Sequence, residues 1–331
     1  MNNEPSPNDA AQVRPLVVVH TQYEAEGVLS LTLADPHRAP LPAWEPGAHV
    51  DVILPSGLIR SYSLCGSLQD RHTYRIAVLL TPDSRGGSAE VHRVGTVGQQ
   101  LDVRGPRNHF PLVPAADYRF IAGGIGITPL LPMLRRLSHT PGSPRWSLLY
   151  GGRSLRSMAF RDELAALPGG EVTLWPQDIN GLPDPSRLLA ATTATTAVYC
   201  CGPEGLLQEV RACAMRRLPP GALHTETFGA PTKTDTTVTG ASSEEFEVEL
   251  RRSGVTLRVP AGRSLLDVVR EVVPEVPYSC GEGMCGTCET KVLEGTADHR
   301  DLLLSEAERQ AGNTMMICVS RSATPRLTLD L

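Results

Sequence analysis

Four cysteines concentrate the chemistry of this chain. Cys280, Cys285 and Cys288 stand in YSCGEGMCGTCETK at the spacing C-x4-C-x2-C, and Cys318 supplies a fourth thiol further along. Three thiols in one glycine loop with a distant fourth suit a [2Fe-2S] cluster, in which four thiolates hold two irons. Gly281, Gly283 and Gly286 give the loop access to positive φ and bring backbone N–H groups within reach of the sulfurs. Hydrogen bonds of that kind tune the reduction potential. The alternative metal is zinc, whose sites normally pair two short C-x2-C hooks around one tetrahedral ion rather than wrapping three thiols in one loop. Cys65, Cys200 and Cys213 each stand in an apolar segment and read as small core residues.

A cluster only carries electrons, so the chain must also hold a donor. AGGIGITP (residues 122–129) follows an apolar strand and opens a helix, so a pyrophosphate can approach the backbone while the helix N-terminus stabilises its charge. It is not the G-x-G-x-x-G fingerprint, and any tight strand-to-helix turn favours glycine. YCCGP (199–203) ends a later strand of the same sheet and reaches the same carboxyl edge, where ligands of α/β folds bind. RSYSL (60–64) sets a cation, a ring and a hydroxyl along one strand, although taken alone it reads as an ordinary half-exposed strand. A cation can pair with a phosphate, a tyrosine ring can stack on a flat cofactor, and a serine hydroxyl can hydrogen-bond a ring nitrogen. SRGGS (84–88) offers a phosphate nest, or else an ordinary surface turn.

These residues need rigid elements to hold them. Residues 13–113 read as short alternating strands broken by Pro and Gly: PLVVVHTQ, LSLTLAD, AHVDVILP, RSYSLCG, TYRIAVLL and QQLDVRGP. With no amphipathic helix between them, that grammar predicts an antiparallel β-barrel. From 114 to 229, strand, glycine turn and helix alternate, as in WSLLYGG followed by MAFRDELAAL, which predicts an α/β domain with a doubly wound parallel sheet. Residues 230–244 are rich in Thr, Ser and Gly and read as a flexible linker. Residues 245–331 combine a hairpin (FEVELRR, VTLRVPAG), a helix (RSLLDVVREVV) and further strands (CETKVLEG, MMICVSRS, RLTLDL) in a small α+β unit.

Composition narrows the classes. The 331 residues are 41% apolar and 20% charged, which describes an ordinary globular multidomain protein. No apolar run is long enough to span a bilayer, and the opening MNNEPSPNDAAQVRP lacks the basic start and apolar stretch of a secretory signal. The expected compartment is the cytoplasm, where eight cysteines do not make a disulfide framework. A net charge of -5 is too mild to imply nucleic acid. The acidic excess is local: Glu244 to Leu331 holds fifteen acidic and ten basic residues. That region is a solvated face or a docking surface for a basic partner.

In their order, RSYSL, SRGGS, GGIGITP, CGP and C-x4-C-x2-C…C resemble the phthalate dioxygenase reductase type of the ferredoxin–NADP reductase superfamily, which includes vanillate O-demethylase reductases. The resemblance runs from about residue 13 to 331. It implies an FMN-binding barrel, an NAD(P)H-binding α/β domain and a C-terminal β-grasp ferredoxin. It further implies that Arg60 reaches the flavin phosphate, that Ser61, Tyr62, Ser63, Ala77 and Val78 line the flavin, and that Ser63 lies near its reactive edge. Arg85, Gly86, Gly87 and Ser88 would form the phosphate loop. Gly123, Gly124, Gly126, Thr128 and Pro129 would border the nicotinamide nucleotide, with Thr128 also near the flavin.

By the same resemblance, Cys201, Gly202 and Pro203 would lie beside the nicotinamide ring, and Phe228 would close the reductase portion over the flavin. Arg153 and Asp178 are carried over to the adenosine side, although a surface arginine and a turn-forming aspartate are equal readings. NADH is favoured, with NADPH left open by Arg153, Arg156 and Arg161. Ser63, Thr128 and Cys201 would serve the hydride step, and Glu226 reads as structural. The implied partner is a terminal oxygenase of the Rieske non-haem iron type, with a cytochrome P450 as the alternative acceptor and a zinc-stapled binding protein as the alternative class. No nucleic-acid or membrane partner is expected, and the reductase would be a monomer.

Overall fold

The computed structural model describes residues 12–81, 86–190, 192–228, 245–278, 281, 283, 286–301, 303–304 and 306–331. Arg85, Cys280, Cys285 and the 230–244 linker of the sequence reading lie outside the described residues. The chain divides into two compact units, Met1–Phe228 and Gly229–Leu331. Among the described residues no helix is long and apolar enough to cross a membrane.

The first unit opens with β1 (Val13–Ala25), β2 (Val28–Ala34), β3 (His49–Ile53), β4 (Ile59–Ser63) and β5 (Thr73–Leu79), then α1 (Gly87–Val94) and β6 (Gln100–Arg107). These strands make an antiparallel sheet in the order β4-β3-β6-β1-β2-β5. Just past β4, the Cys65 N–H donates to the Arg75 carbonyl of β5 at 2.8 Å, bringing the two edge strands together. Period-two burial drives the sheet: Leu16, Val18, Leu31, Leu33, Val50, Val52, Ile76 and Val103 point into one core.

A charged knot closes one region of that sheet. Asp51 is fully buried and pairs with Arg104 at 2.9 Å and Arg107 at 2.6 Å, while the Ser61 hydroxyl donates to it at 2.7 Å. Burial alone would raise the Asp51 pKa, but the Arg107 charge and the hydrogen bonds from Arg107 and Ser61 outweigh it and hold the carboxyl at about 2.

Helix α1 departs from the sequence reading, which had only strands and turns here. Val91 is its one fully buried large apolar side chain, so no helical periodicity is visible. The helix is fixed by other means. Glu90 accepts the Ser56 backbone N–H at 3.0 Å and also the Ser56 hydroxyl, and His92 bonds the Val78 carbonyl at 2.9 Å.

The same unit continues with β7 (Asp117–Gly123), a 3-10 turn (Gly124–Gly126), α2 (Ile127–His139), β8 (Arg145–Gly152), α3 (Arg161–Ala165), β9 (Gly170–Pro176), α4 (Gln177–Asn180), α5 (Pro185–Leu189), β10 (Thr196–Gly202), α6 (Glu204–Ala214) and β11 (Leu223–Thr227). All pairings are parallel, in the order β11-β10-β7-β8-β9. The central strands β7, β8 and β10 are mostly buried along their length, as strands covered on both faces are, whereas the edge strands β9 and β11 are more exposed and more polar. A short segment joins the two sheets and is pinned by tyrosines. The Val113 N–H donates to the Tyr199 hydroxyl at 2.8 Å, and that hydroxyl donates to the Pro111 carbonyl at 2.8 Å. An ion-pair relay also ties the sheets: Arg75 of β5 bonds Glu24 at 2.6 Å and Glu163 of α3 at 2.7 Å, and Arg135 of α2 bonds Glu163 as well.

The second unit comprises β12 (Phe246–Leu250), β13 (Val255–Val259), α7 (Leu265–Arg270), β14 (Glu289–Glu294), β15 (Ala297–Asp298), α8 (Glu306–Ala311), β16 (Thr314–Met316), β17 (Arg321–Ser322) and β18 (Arg326–Leu329). Its main sheet runs β13-β12-β18-β14-β16, with β12 and β18 parallel and the rest antiparallel. Helix α7 is capped by Ser264, whose hydroxyl oxygen accepts the Asp267 N–H at 3.0 Å, and its Leu265 and Val269 fill the core. MMICVSRS is not the single strand its apolar character predicts. The chain turns after Met316, whose carbonyl accepts the Val319 and Ser320 N–H groups at 3.2 and 3.0 Å, and this turn carries Cys318 into the interior.

Candidate functional site

The flavin-side residues of the sequence reading sit on adjoining elements of the barrel. Arg60, Ser61, Tyr62 and Ser63 lie along β4, and Ala77 and Val78 are buried on β5. Gly86 has φ 87°, a left-handed conformation that a side chain would strain, and it leads directly into α1. A Cβ on Gly87 would stand 2.4 Å from the Arg60 Nε, so only glycine lets that guanidinium lie across the first turn of the helix. The Arg60 guanidinium, which also donates to the Ile59 carbonyl at 2.8 Å, lies beside the first turn of a helix, and a cation at a helix N-terminus fits an FMN phosphate. Ser88 accepts the Thr81 N–H at 3.2 Å, which ties the end of β5 to that turn. Burial pushes the Tyr62 phenol well above its ordinary range despite the nearby Arg60 charge, so the half-buried side chain presents a neutral ring.

The two glycine motifs of the parallel sheet meet backbone to backbone. A Cβ on Gly126 would stand 2.2 Å from the Cys201 carbonyl oxygen, and one on Gly123 would stand 2.6 Å from the Pro203 ring. One on Gly202 would stand 2.9 Å from the Gly123 Cα. Gly124 has φ 54° and open space around it, so the turn leaves room for a ligand there. Thr128 is buried and donates its hydroxyl to the Ile125 carbonyl at 3.0 Å, and Pro129 is buried beside it. Arg153 and Asp178 are exposed at the same carboxyl edge, linked by an Asp178 N–H to Arg153 carbonyl bond of 3.0 Å. Phe228 is partly exposed just past β11.

One residue of the site escaped sequence reasoning. Glu226 on β11 stands in register with Cys201 on β10, and one of its carboxyl oxygens is buried without a hydrogen-bond partner. Burial raises its pKa to about 8, and the Ser63 hydroxyl facing it offsets part of that rise without closing a well-formed hydrogen bond. Burial, then Glu226 and Cys200, push the Cys201 thiol well above its usual value, so it is a neutral thiol rather than a thiolate nucleophile. Nothing in ETFG marks the glutamate as special. The available signal was positional, because the strand after CGP must pair beside it in a parallel sheet.

In the second unit Cys288 and Cys318 are buried in one core, and the Ile317 N–H donates to the Cys288 carbonyl at 3.4 Å. The Gly283 N–H donates to the Cys318 Sγ at 3.2 Å. Gly281, Gly283 and Gly286 have φ of 69°, 70° and 71°, the left-handed conformation expected of the loop. A backbone donor aimed at a ligand sulfur fits a cluster thiolate. With two of the four cysteines outside the described residues, the described residues hold no complete metal-ligand group.

Comparison with known proteins agrees with this geometry. Residues 120–212 match the oxidoreductase NAD-binding domain family, and residues 248–323 match the 2Fe-2S iron-sulfur cluster binding domain family. The chain is 46% identical over 93% of its length to phenoxybenzoate dioxygenase subunit beta of Ectopseudomonas oleovorans, covering 94% of that protein. It is 38% identical over 96% of its length to phthalate dioxygenase reductase of Burkholderia cepacia, covering 97% of that protein. The chain belongs to the phthalate dioxygenase reductase family.

As a member of that family it is an oxidoreductase that serves as the reductase component of a multicomponent oxygenase, with FMN, NADH and a [2Fe-2S] cluster as cofactors. Among solved structures, a type IV self-sufficient cytochrome P450 monooxygenase superposes with a TM-score of 0.88 at 41% identity over 96% of this chain. This chain spans 41% of that one. The described cysteines, the sheet-edge glycines and the β4 strand are thus parts of one reductase.

Proposed function

We propose that this reductase supplies electrons to a Rieske-type non-haem iron oxygenase acting on an aromatic or related small substrate, in the cytoplasm. Its parts are an FMN barrel over 13–113, an NADH lobe over 114–229, a linker over 230–244 and a ferredoxin unit over 245–331. When bound, FMN accepts a hydride from NADH and the [2Fe-2S] cluster passes single electrons onward. The protein's share is to bind, orient and exclude water.

Arg60 and the first turn of α1 hold the flavin phosphate, with Gly86, Gly87 and Ser88 in that turn and Arg85 just before it. Ser61, Tyr62, Ala77 and Val78 supply the flavin's surroundings on β4 and β5. Gly123, Gly124, Gly126, Thr128 and Pro129 hold the nicotinamide nucleotide against Cys201, Gly202 and Pro203, while Arg153 and Asp178 serve its adenosine side. Phe228 covers the flavin. Cys280, Cys285, Cys288 and Cys318 ligate the cluster.

The observation that carries this reading is the position of Glu226. Its carboxyl interacts with Ser63 on the flavin strand and with Cys201 on the nicotinamide strand, so the two predicted ligand edges converge on one buried spot. Neutral at pH 7 with a pKa of about 8, it adds no charge there. The buried thiol of Cys201 packs the nicotinamide rather than reacting with it. Single-turnover reduction in a stopped-flow instrument tests this: Cys201→Ala retains FMN but slows flavin bleaching by NADH by at least about tenfold, and an unchanged rate removes Cys201 from the step.

The self-sufficient P450 match supports a second acceptor. Purified Rieske oxygenase and P450 candidates, each supplied with this reductase and NADH, separate the two readings by which one forms product with coupled NADH consumption.

A further inference from the structure

Beside Gly283 of the cluster loop stands a charged knot built on Asp301, a residue outside the ligand set. Asp301 has no solvent exposure on its side chain. Its Oδ2 accepts the Leu304 and Leu303 N–H groups at 2.8 and 3.2 Å, and its Oδ1 accepts the Ser320 hydroxyl at 3.4 Å. Arg309 supplies the counter-charge at 3.7 Å and is itself fixed by donating to the Leu304 carbonyl at 3.1 Å. The His299 Nδ1 stands 3.6 Å from Oδ1.

This knot touches the ligand loop directly. A Cβ on Gly283 would stand 2.9 Å from the Asp301 Cα and 3.1 Å from its Cβ, so the glycine packs flush on that residue. The same glycine donates its N–H to the Cys318 Sγ at 3.2 Å. Ser320, the other link, lies two residues past Cys318 and also accepts the Arg300 N–H at 3.2 Å. Asp301 therefore braces both chain segments that meet at one cluster sulfur.

We propose that Asp301 and Arg309 are a positioning pair that sets the reduction potential of the [2Fe-2S] cluster. The proposal rests on the cluster assignment above. The fully buried Asp301 carboxylate loses little of its field to solvent and opposes the arrival of an electron on the cluster, while the partly exposed Arg309 guanidinium favours it more weakly. Burying the Asp301 carboxylate costs desolvation that an apolar side chain would avoid.

The test is a redox titration of the holoprotein followed by electron paramagnetic resonance, with the cluster signal counted against protein. Asp301→Asn keeps the shape and an acceptor for the backbone N–H groups, and its potential rises by the equivalent of about tenfold in the one-electron equilibrium constant, or about 59 mV. Arg309→Gln, at a partly exposed side chain, leaves the carboxylate uncompensated and its potential falls. The double variant returns close to the wild-type value. A merely structural role moves the potential of both single variants in one direction or loses the signal. Equal potentials in wild type and Arg309→Gln overturn the proposal, as do shifts of the same sign. A wild-type protein without any [2Fe-2S] signal instead overturns the cluster assignment itself.

Discussion

Two buried carboxyls in the first unit titrate in opposite directions, and each makes a separate statement about stability. Glu226 has a folded pKa of about 8 against an ordinary 4.5, so the native state holds its proton more tightly than the unfolded chain. Its contribution is fully present below about 4.5 and is lost as the pH rises through about 8. Glu226→Gln, which cannot ionise, should flatten the urea midpoint of this unit across that window, and a wild-type slope that survives the change removes Glu226 as its source. Asp51 is the converse. Held at about 2 against 3.8, its contribution is present above 3.8 and lost as the pH falls through 2. Asp51→Ala leaves Arg104 and Arg107 buried against an empty site, and chemical denaturation at pH 7 should show a loss of about 3 kcal/mol. Neither setting was legible in the sequence. A lone Glu in ETFG and a lone Asp in HVDVILP have no spacing to betray them, because their partners come from distant strands.

At the scale of elements, what the sequence revealed is periodic or glycine-punctuated, and what it hid is neither. GGIGITP and CGP read correctly as neighbours at one sheet edge, because a parallel sheet sends every strand's carboxyl end the same way. The left-handed turns at Gly281, Gly283 and Gly286 followed from glycine at thiol spacing. Helix α1 was missed because it is held by Glu90 and His92 rather than by an apolar stripe. The break in MMICVSRS was missed because turn and strand share its apolar residues. Gly87 tests the importance of α1 for binding. In Gly87→Ala the new methyl must displace the Arg60 guanidinium, so FMN affinity should fall by about tenfold, about 1.4 kcal/mol, with unchanged far-ultraviolet circular dichroism. Equal affinity would mean that Arg60 does not reach the phosphate.

The whole molecule consists of two units with separate hydrophobic cores, and each core depends on different support. The core of the first is built on the two sheets and on the Arg75–Glu163–Arg135 relay. The second is smaller, and Cys288 and Cys318 are themselves core residues beside Met315, Ile317 and Leu327. Removing the metal from such a site leaves free thiols inside a small core and withdraws the ligand-binding free energy that favours the folded state. Calorimetry of the holoprotein should then resolve two transitions. Stripping iron under reducing conditions should lower the one belonging to the second unit by about ten degrees or more, a domain of this size shifting by about 4–8 °C per kcal/mol. The transition of the first unit should stay in place, and NADH should still bleach its FMN. Cys285→Ser should reproduce that pattern without a chelator and abolish delivery to the oxygenase. If the variant still drives oxygenase turnover with NADH, electrons leave from the flavin directly and the ferredoxin unit is not their exit.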